Sequence, residues 1–403
     1  MEMLFYRYGS ICEPDLISIF ESFGLRVVTL GAEITDKKLS ASERIKLLSE
    51  CIDNHTFSFI FSINFFPSIS DLCEIYKLPY ICWTVDSPVM ELFSKSIQNT
   101  CNKVFVFDKA QYRTLSPFNP EGIFHLPLAT NVGRWDQVIR DISAADRNRF
   151  SGDISFVGSL YSEKDPYLLT KDIAPVLPDR AKGFMDGLIA AQSQVYGYNF
   201  MESALTDEII SMFHEKMPSL YLKEESSIMN TDCYVTAHQI IGMHAAYVER
   251  MDILKTLAEH FTVDLYTLSN TELLKDLPGI RLKGGVRTLT EMPKVFHLSK
   301  INLNMTIRPI QAGLSLRIWD ILGCGGFLIT NYQEELPDYF TPGVDLETFA
   351  SIEELADKCN YYLTHEEERL RIAQRGCEKV RKKHTYEKRV ADLIRIVYQT
   401  LSL

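Results

Sequence analysis

The sequence predicts an α/β protein built from two successive doubly wound halves. Three observations predict this fold class: strand and helix patterns alternate along residues 1–130, a second alternation begins near residue 152, and residues 56–64 (TFSFIFSIN) form a near-continuous β-rich run. Such a run is typical of a strand buried on both faces of a parallel sheet. Strands that alternate with helices are joined by right-handed crossovers, so each half should contain a parallel sheet.

The first half begins with a short strand and continues as alternating elements. Its first helix is predicted from the apolar residues Leu16, Ile19 and Phe20, with Pro14 in the first turn and Gly24 at the stop. Strands are predicted at residues 3–6, 25–30, 56–64, 80–84 and 103–107, and further helices at 40–54 and 69–76.

The second half repeats this alternation after a polar linker that ends near residue 152. Its strands are predicted at residues 154–157, 263–267, 280–282, 301–305 and 327–330. Residues 165–229 have helical periodicity with few strand signals, and we interpret them as a helical insertion. The predicted domains are therefore residues 1–140, joined by a final helix at 387–403, and residues 150–386.

Composition excludes several classes of function. The net charge of −11 argues against a general nucleic-acid-binding surface. The nine cysteines include no C-x-x-C pair, so the sequence indicates neither a zinc site nor a disulfide framework, and reduced thiols fit a cytoplasmic protein. No apolar run approaches the ~20 residues of a membrane span, and the first residues do not have the pattern of a signal peptide.

The segment 313–340 (GLSLRIWDILGCGGFLITNYQEELPDYF) carries the clearest chemical signal. Gly313, Ser315 and Leu316 open an amphipathic helix, and the free N–H groups and positive dipole end of such a helix suit a phosphate. Arg317 could neutralise a diphosphate, and Asp320, three residues on, could bind ribose hydroxyls. Helix, glycine break and strand are also ordinary α/β construction, and the two charges could form a simple surface ion pair.

Several blocks of the sequence together resemble a known group of enzymes. The pattern R-x-W-D-I-L-G-C-G-G-F-L-I-T-N, after two αβα halves, resembles a glycosyltransferase of the two-Rossmann GT-B fold, whose two domains face a cleft. It is most similar to the bacterial CgeB-like (spore maturation) group with its N-terminal companion domain. The similar blocks are 57–69 (FSFIFSINFFPSI), 78–88 (LPYICWTVDSP), 104–109 (VFVFDK), 124–131 (FHLPLATN), 153–161 (DISFVGSLY), 249–267 and 300–340.

The resemblance implies a nucleotide-sugar donor in the C-terminal half and an acceptor in the N-terminal half. The broader group uses two glutamates, for the donor sugar and the ribose. Asp320 stands at the second position, but the first falls at Gly313, which has no side chain. This departure leaves sugar recognition and the retaining or inverting outcome open. Thr267 and Ser269 stand where the group places the nucleobase.

Other residues follow predicted strands at the ligand-binding edge. Ser159 and Tyr161 could lie against the donor phosphates, although they could equally form a plain turn. Arg308 is a candidate second cation for the leaving diphosphate, because departure builds negative charge. Without a metal motif, Arg308, Arg317 and the helix N-terminus would do the work of Mg²⁺. Asp86 could deprotonate an acceptor hydroxyl or cap a turn or helix.

We therefore expect a metal-independent glycosyltransferase, without a resident cofactor, that uses a nucleotide sugar, most simply a UDP-sugar. Its acceptor would be a protein, such as flagellin or a spore or surface protein, or a glycan. Neither nucleic acid nor a membrane span is expected, and the sequence leaves the oligomeric state open. One alternative is a non-catalytic scaffold of the same fold, which the missing first carboxylate favours. A second alternative is a nucleotide-sugar epimerase.

Overall fold

The computed structural model describes residues 1–36, 39–169 and 177–400, which form two compact units. The first unit comprises Met1–Ala129, Leu222–Asn230 and His384–Leu403, and the second comprises Thr130–Tyr221 and Thr231–Lys383. The boundary thus lies at residue 129, earlier than the predicted residue 140. No sequence pattern had indicated that Leu222–Asn230 would join the first unit.

The first unit contains a parallel six-stranded sheet in the order β2-β1-β3-β4-β5-β6. All five residues of β3 are buried, as the β-rich run predicted. The order in which successive strands are added to the sheet reverses between β1 and β3. In open α/β sheets, ligands bind beside such a reversal of strand order. The strands are β1 (Glu2–Tyr6), β2 (Arg26–Leu30), β3 (Phe59–Ile63), β4 (Tyr80–Trp83), β5 (Asn102–Val106) and β6 (Ile123–His125).

Helices flank this sheet, and the last described helix of the chain is one of them. It packs against the first helix, and its Tyr386 donates a hydrogen bond to Cys12 Sγ (3.3 Å). The α-helices of this unit are Glu13–Ser22, Ala32–Thr35, Ala41–Asp53, Pro67–Tyr76, Lys109–Leu115 and Tyr386–Thr400. Its 3-10 helices are Met90–Phe93, Lys95–Gln98, Ser116–Phe118 and Glu224–Ser226.

The second unit contains another parallel six-stranded sheet, in the order β12-β11-β10-β7-β8-β9. Here the reversal lies between the neighbouring strands β7 and β10, which is the arrangement of dinucleotide-binding domains. The sequence pattern missed the short strands β6 and β12. The strands are β7 (Gly152–Val157), β8 (Val263–Tyr266), β9 (Ile280–Leu282), β10 (Ser299–Asn304), β11 (Leu328–Asn331) and β12 (Glu347–Phe349).

Helices cover both faces of this second sheet. In the predicted insertion 165–229, the described residues contain helices and no strand, while residues 170–176 lie outside the described residues. The α-helices are Val132–Arg140, Ala144–Phe150, Pro166–Leu169, Asp179–Gln192, Met201–Ala204, Asp207–Lys216, Asp232–Tyr234, Gly242–Ala258, Met292–Leu298, Leu316–Gly323, Leu336–Tyr339, Ile352–Thr364 and Glu366–Lys383. A π-helix (Val235–Ile241) runs directly into helix Gly242–Ala258, and Pro218–Leu220 is a 3-10 helix.

Candidate functional site

The helix Leu316–Gly323 begins with an open N-terminus. Its N-cap, Ser315, has an extended backbone, and no described side chain caps the first N–H groups. The Ser315 hydroxyl instead donates to Asn304 Oδ1 (3.2 Å) at the end of β10. The helix ends before Gly325, whose positive φ of 75° explains the glycine break. The predicted phosphate-binding feature, free N–H groups at this helix end, is therefore available.

Side chains from β11 and the loop after it fix the loop that leads to this helix. Asn331 bonds Thr306 twice, accepting from its N–H at 2.7 Å and donating to its carbonyl at 3.0 Å. Gln333 Nε2 donates to the carbonyls of Ile310 (3.1 Å) and Gly313 (3.2 Å). Gly313 thus contributes its backbone to this loop, and the loop conformation is set before any ligand arrives.

Arg317 lies in the first turn of this helix with apolar neighbours. Its guanidinium is 5.4 Å from the centroid of the Phe296 ring, and Nη1 contacts Met292 Sδ. No described carboxylate lies within ion-pair distance of it. Burial lowers the pKa of Arg317, and the Asp320 carboxylate offsets part of this effect. Asp320 itself is only 4% exposed, so the alternative of a surface ion pair is wrong.

Asp320 faces a partner far away in the sequence. Its Oδ1 accepts a hydrogen bond from Thr130 Oγ1 (2.6 Å), which in turn accepts one from Trp135 Nε1 (2.5 Å). One carboxylate oxygen is therefore directed toward the start of helix Val132–Arg140. The predicted contact of Asp320 with a ribose stays a prediction, and it would have to share the carboxylate with Thr130.

Arg250, on helix Gly242–Ala258, is the main site residue that sequence reasoning missed. Its Nη1 and Nη2 donate to the carbonyls of Ser159 and Met305, both at 2.5 Å. It therefore joins the ends of β7 and β10, the neighbouring strands between which the strand order of the sheet reverses. Burial lowers the pKa of Arg250, and the positive charge of Arg317 lowers it further although carboxylates and Tyr161 partly oppose this.

Arg250 has no ion-pair partner among the described residues, and its Nε is buried without a hydrogen bond. A sequence signal for it exists. Arg250 stands on a stripe with the fully buried Leu254 and Leu257, at the i, i+4, i+7 spacing of a core-facing helix surface. An arginine on such a stripe is unusual, because buried charges are normally paired.

The loop after β7 brings together the predicted residues Ser159 and Tyr161. Ser159 Oγ accepts from the Tyr161 N–H (2.7 Å) and donates to Glu163 Oε1 (2.6 Å). Tyr161 has a positive φ of 72°, and the Arg250 guanidinium lies 4.5 Å from its ring centroid. A backbone turn is present as well, since the Lys164 N–H donates to the Tyr161 carbonyl. Strained non-glycine residues of this kind concentrate at functional sites.

Thr267 and Ser269 lie against the same loop. The Ser269 hydroxyl accepts from the Leu160 N–H (2.7 Å), and Thr267 Oγ1 accepts from the Ser269 N–H (3.1 Å). Burial acts to raise the pKa of Glu163, but hydrogen bonds from Ser159 and Ser269 lower it overall. The structure therefore unites the predicted residues of the β7 and β8 loops and adds Glu163 to them.

Arg308 occupies a different environment from the predicted one. Its Nε donates to Glu249 Oε1 (2.7 Å) and its Nη1 to the Val195 carbonyl (2.8 Å), while its guanidinium stacks on Tyr196. Its charge is thus compensated inside the protein. Arg250, rather than Arg308, shares with Arg317 the absence of an ion pair in the described chain; Arg250 is buried and Arg317 is half-buried.

Asp86 belongs to a polar cluster in the first unit. Asn64, which follows β3 with a positive φ of 57°, donates from Nδ2 to Asp86 Oδ2 (2.7 Å) and to the Tyr8 hydroxyl (2.9 Å). Asp86 is exposed, and burial together with Asp86 raises the pKa of Tyr8. The next helix has Val89 as its N-cap, so the alternative of Asp86 as its cap is wrong. Tyr8, Asn64 and Asp86 follow β1, β3 and β4, beside the point where the strand order of this sheet reverses.

The described residues provide no obvious site for a metal ion or a membrane span. Within residues 1–36, 39–169 and 177–400, no group of three His, Cys, Asp or Glu side chains is arranged to hold a metal. In the same part of the chain, no helix combines the length and apolar character needed to cross a bilayer. All nine cysteines are free thiols.

The fold of this chain is similar to the folds of several solved structures. The glycosyltransferase from Rickettsia africae ESF-5 superposes with a TM-score of 0.54 at 9% identity, covering 99% of this chain and 98% of that one. HepE of Anabaena, in complex with UDP and glucose, gives 0.52 at 11% identity, covering 100% and 99%. Sucrose-phosphate synthase from Thermosynechococcus elongatus gives 0.53 at 11% identity, covering 100% and 99%.

The chain has the GT-B fold of glycosyltransferases. In addition, residues 250–395 match the sequence family described as glycosyl transferase-like. This match begins at Arg250, includes Arg317 and Asp320, and lies in the second unit except for residues 384–395, which belong to the first. No curated protein matches the sequence. The predicted fold class, with two doubly wound α/β units, is confirmed.

Proposed function

We propose that this GT-B-fold protein is a glycosyltransferase that moves a hexosyl or N-acetylhexosaminyl group from a UDP-sugar to an acceptor hydroxyl. The observation that carries the proposal is the pair of guanidinium groups of Arg250, which is buried, and Arg317, which is half-buried among apolar neighbours. Neither has a carboxylate partner in the described chain, and they lie beside the open N-terminus of helix Leu316–Gly323. Unpaired buried cations are costly unless an anion completes the site. A diphosphate supplies that anion.

The chemistry of transfer explains the arrangement. As the bond between the anomeric carbon and the phosphate oxygen breaks, negative charge develops on the departing diphosphate. Fixed cations and backbone N–H groups stabilise that charge without reorganising. Arg250, Arg317 and the helix N-terminus would thus replace a divalent ion, so we propose that transfer needs no metal. The nucleoside would lie toward Thr267, Ser269 and Asp320.

The acceptor is assigned to the first unit. We propose that Asp86, held by Asn64, binds the acceptor hydroxyl and takes its proton as the new glycosidic bond forms. The acceptor would be a protein such as flagellin or a spore or surface protein, or a glycan, which follows from the resemblance to the CgeB-like group. A cytoplasmic location is proposed on the same basis, with the nine free thiols in support.

A thermal-shift titration with UDP, GDP, CDP and dTDP, without divalent metal, tests the donor site. A ligand that binds only the folded protein raises its melting temperature by mass action. We expect UDP to stabilise the protein most, and UDP-sugars to release UDP when a suitable acceptor is added. The matched control is Arg371→Met, at a side chain that is 59% exposed, which should leave the UDP shift unchanged.

Two outcomes would favour the other candidate functions. The absence of any nucleotide shift in folded protein would favour the non-catalytic scaffold, which the missing side chain at Gly313 supports. Conversion of one UDP-sugar into its epimer without an acceptor would favour the epimerase.

A further inference from the structure

A second ordered pair of polar groups, Asp165 and His244, stands on the loop after β7 and on the helix that also contribute to the proposed diphosphate site. Asp165 is fully buried, and its Oδ2 lies 2.7 Å from His244 Nδ1. Its Oδ1 accepts from the N–H groups of Tyr167 (2.9 Å) and Leu168 (3.4 Å) at the start of helix Pro166–Leu169. A carboxylate only accepts hydrogen bonds, so Nδ1 of the imidazole must carry the proton.

This contact determines what the other ring nitrogen can do. With the proton on Nδ1, Nε2 of a neutral imidazole carries a lone pair and accepts hydrogen bonds. The edge-on contact with Tyr167, 4.8 Å between ring centroids, holds the ring plane. His244 retains 8% exposure, and Nε2 makes no hydrogen bond to any described residue. The structure thus provides an oriented acceptor atom that no described residue uses.

The location of this pair connects it to the donor. Asp165 ends the same loop after β7 that supplies Ser159 and Tyr161 to Arg250. His244 lies on the same helix as Arg250, at its N-terminal end, which adjoins the loop after β10: a Cβ atom on Gly242 would come within 3.2 Å of Pro309. In an open α/β unit these loops form the ligand-binding edge.

We propose that His244 Nε2 accepts a hydrogen bond from a hydroxyl of the donor sugar, with Asp165 as its positioning residue. This proposal rests on the proposed function, because it needs a nucleotide sugar in the second unit. His244 would supply a hydrogen-bond acceptor for the sugar, which Gly313 cannot do because it has no side chain. The lone pair of Nε2 suits a hydroxyl, whereas an ionised phosphate oxygen would require a donor.

Asparagine and glutamine variants test the role atom by atom. In His244→Asn the side-chain amide can still donate to Asp165, but nothing replaces Nε2. In His244→Gln the longer side chain can bring an amide oxygen near the Nε2 position. His260→Gln, at an exposed histidine just beyond the other end of the helix, is the matched control. Asp165→Asn keeps an amide oxygen that can accept from the Tyr167 N–H. The amide nitrogen then replaces Oδ2 and cannot accept the hydrogen bond from His244 Nδ1.

Calorimetric titrations of the unchanged protein with UDP, UDP-glucose, UDP-galactose and UDP-N-acetylglucosamine identify the UDP-sugar that it binds most tightly. The affinities of the variants for UDP and for that UDP-sugar are then compared. We expect His244→Asn and Asp165→Asn to bind UDP within twofold of the unchanged protein and that UDP-sugar about tenfold more weakly, as for one lost hydrogen bond. His244→Gln should recover part of the loss, and His260→Gln should show none.

The remaining outcomes overturn the proposal. Equal weakening of UDP and the UDP-sugar would make the pair a support of the diphosphate site or of the fold. Unchanged binding with a loss of turnover would make His244 a proton acceptor instead. Unchanged binding and turnover would leave the pair without a role in the reaction. If the unchanged protein binds none of the four ligands, the proposed function itself fails.

Discussion

Replacement of Arg317 by methionine should make the unliganded protein more stable. The guanidinium lies between the Phe296 ring and Met292 Sδ, so an unbranched apolar chain fits the same space. Replacing a buried ion pair by apolar side chains often stabilises a protein by about 1–4 kcal/mol, and for this single half-buried charge we expect a gain near the lower end of that range. Removal of Arg317 also relieves the repulsion that lowers the pKa of Arg250. For a unit of this size, each kcal/mol raises the melting temperature by about 2–4 °C.

The same substitution should weaken nucleotide binding. A hydrogen bond to a charged group contributes about 1.5–3 kcal/mol, and a loss near the upper value weakens UDP binding about 100-fold. At a UDP concentration of about 100 times Kd, the unchanged protein gains about 2.7 kcal/mol, and the variant would gain about 0.4 kcal/mol. Thermal unfolding with and without UDP measures both effects.

An exposed arginine provides the comparison for this experiment. Arg371→Met should change neither the melting temperature of the unliganded protein nor the UDP shift by a comparable amount. The reasoning is refuted if the Arg317 variant keeps the full UDP shift. It is also refuted if the unliganded variant melts several degrees lower, because Arg317 would then be a structural residue.

Three further perturbations test the surroundings of the site and the fold. Glu249→Gln leaves the buried Arg308 uncompensated and should cost about 3 kcal/mol in urea unfolding, while a changed UDP affinity would contradict the structural role given to this pair. Arg381 holds the pKa of Asp136 below its usual range through a hydrogen bond. This pair therefore stabilises the protein above about pH 4 and loses its effect as the pH falls. Asp136→Asn should lower the free energy of unfolding by less than about 1 kcal/mol at pH 7, because the pair is partly exposed, and should have no effect near pH 2. Lys77, at the end of helix Pro67–Tyr76, has the left-handed backbone conformation that favours glycine (φ 53°). Lys77→Gly should therefore stabilise the protein by about 0.5–1 kcal/mol, and a lower urea midpoint would contradict this prediction.

Local signals in the sequence predicted much of the fold. The β-rich run became the fully buried strand β3, and the helix of the 313–340 segment appears at Leu316–Gly323 with its break at Gly325. Ser40 caps the helix Ala41–Asp53, within one residue of the predicted bounds. These features depend on neighbours within a few residues, which a single sequence contains. Strands β6 and β12 have three residues each and were not predicted, unlike the equally short β9.

The site was harder to predict, because its contacts join distant parts of the chain. Asp165 and His244 are 79 residues apart, and Thr130 is 190 residues from Asp320. No periodicity connects such pairs, since the fold alone brings them together. Arg308 is a further example. Its position in a loop after β10 suggested a cation for the leaving diphosphate, and only the structure reveals the carboxylate of Glu249 beside it.

The return of the chain to the first unit affects the order in which the protein can fold during synthesis. Helix Tyr386–Thr400 packs on helix Glu13–Ser22 and carries the buried residues Val390 and Leu393. Translation delivers this helix after all residues of the second unit, which end at Lys383. The first unit is therefore completed only after the second unit has been synthesised. During synthesis, the apolar face of helix Glu13–Ser22 stays uncovered and is a site for chaperone binding until helix Tyr386–Thr400 emerges from the ribosome.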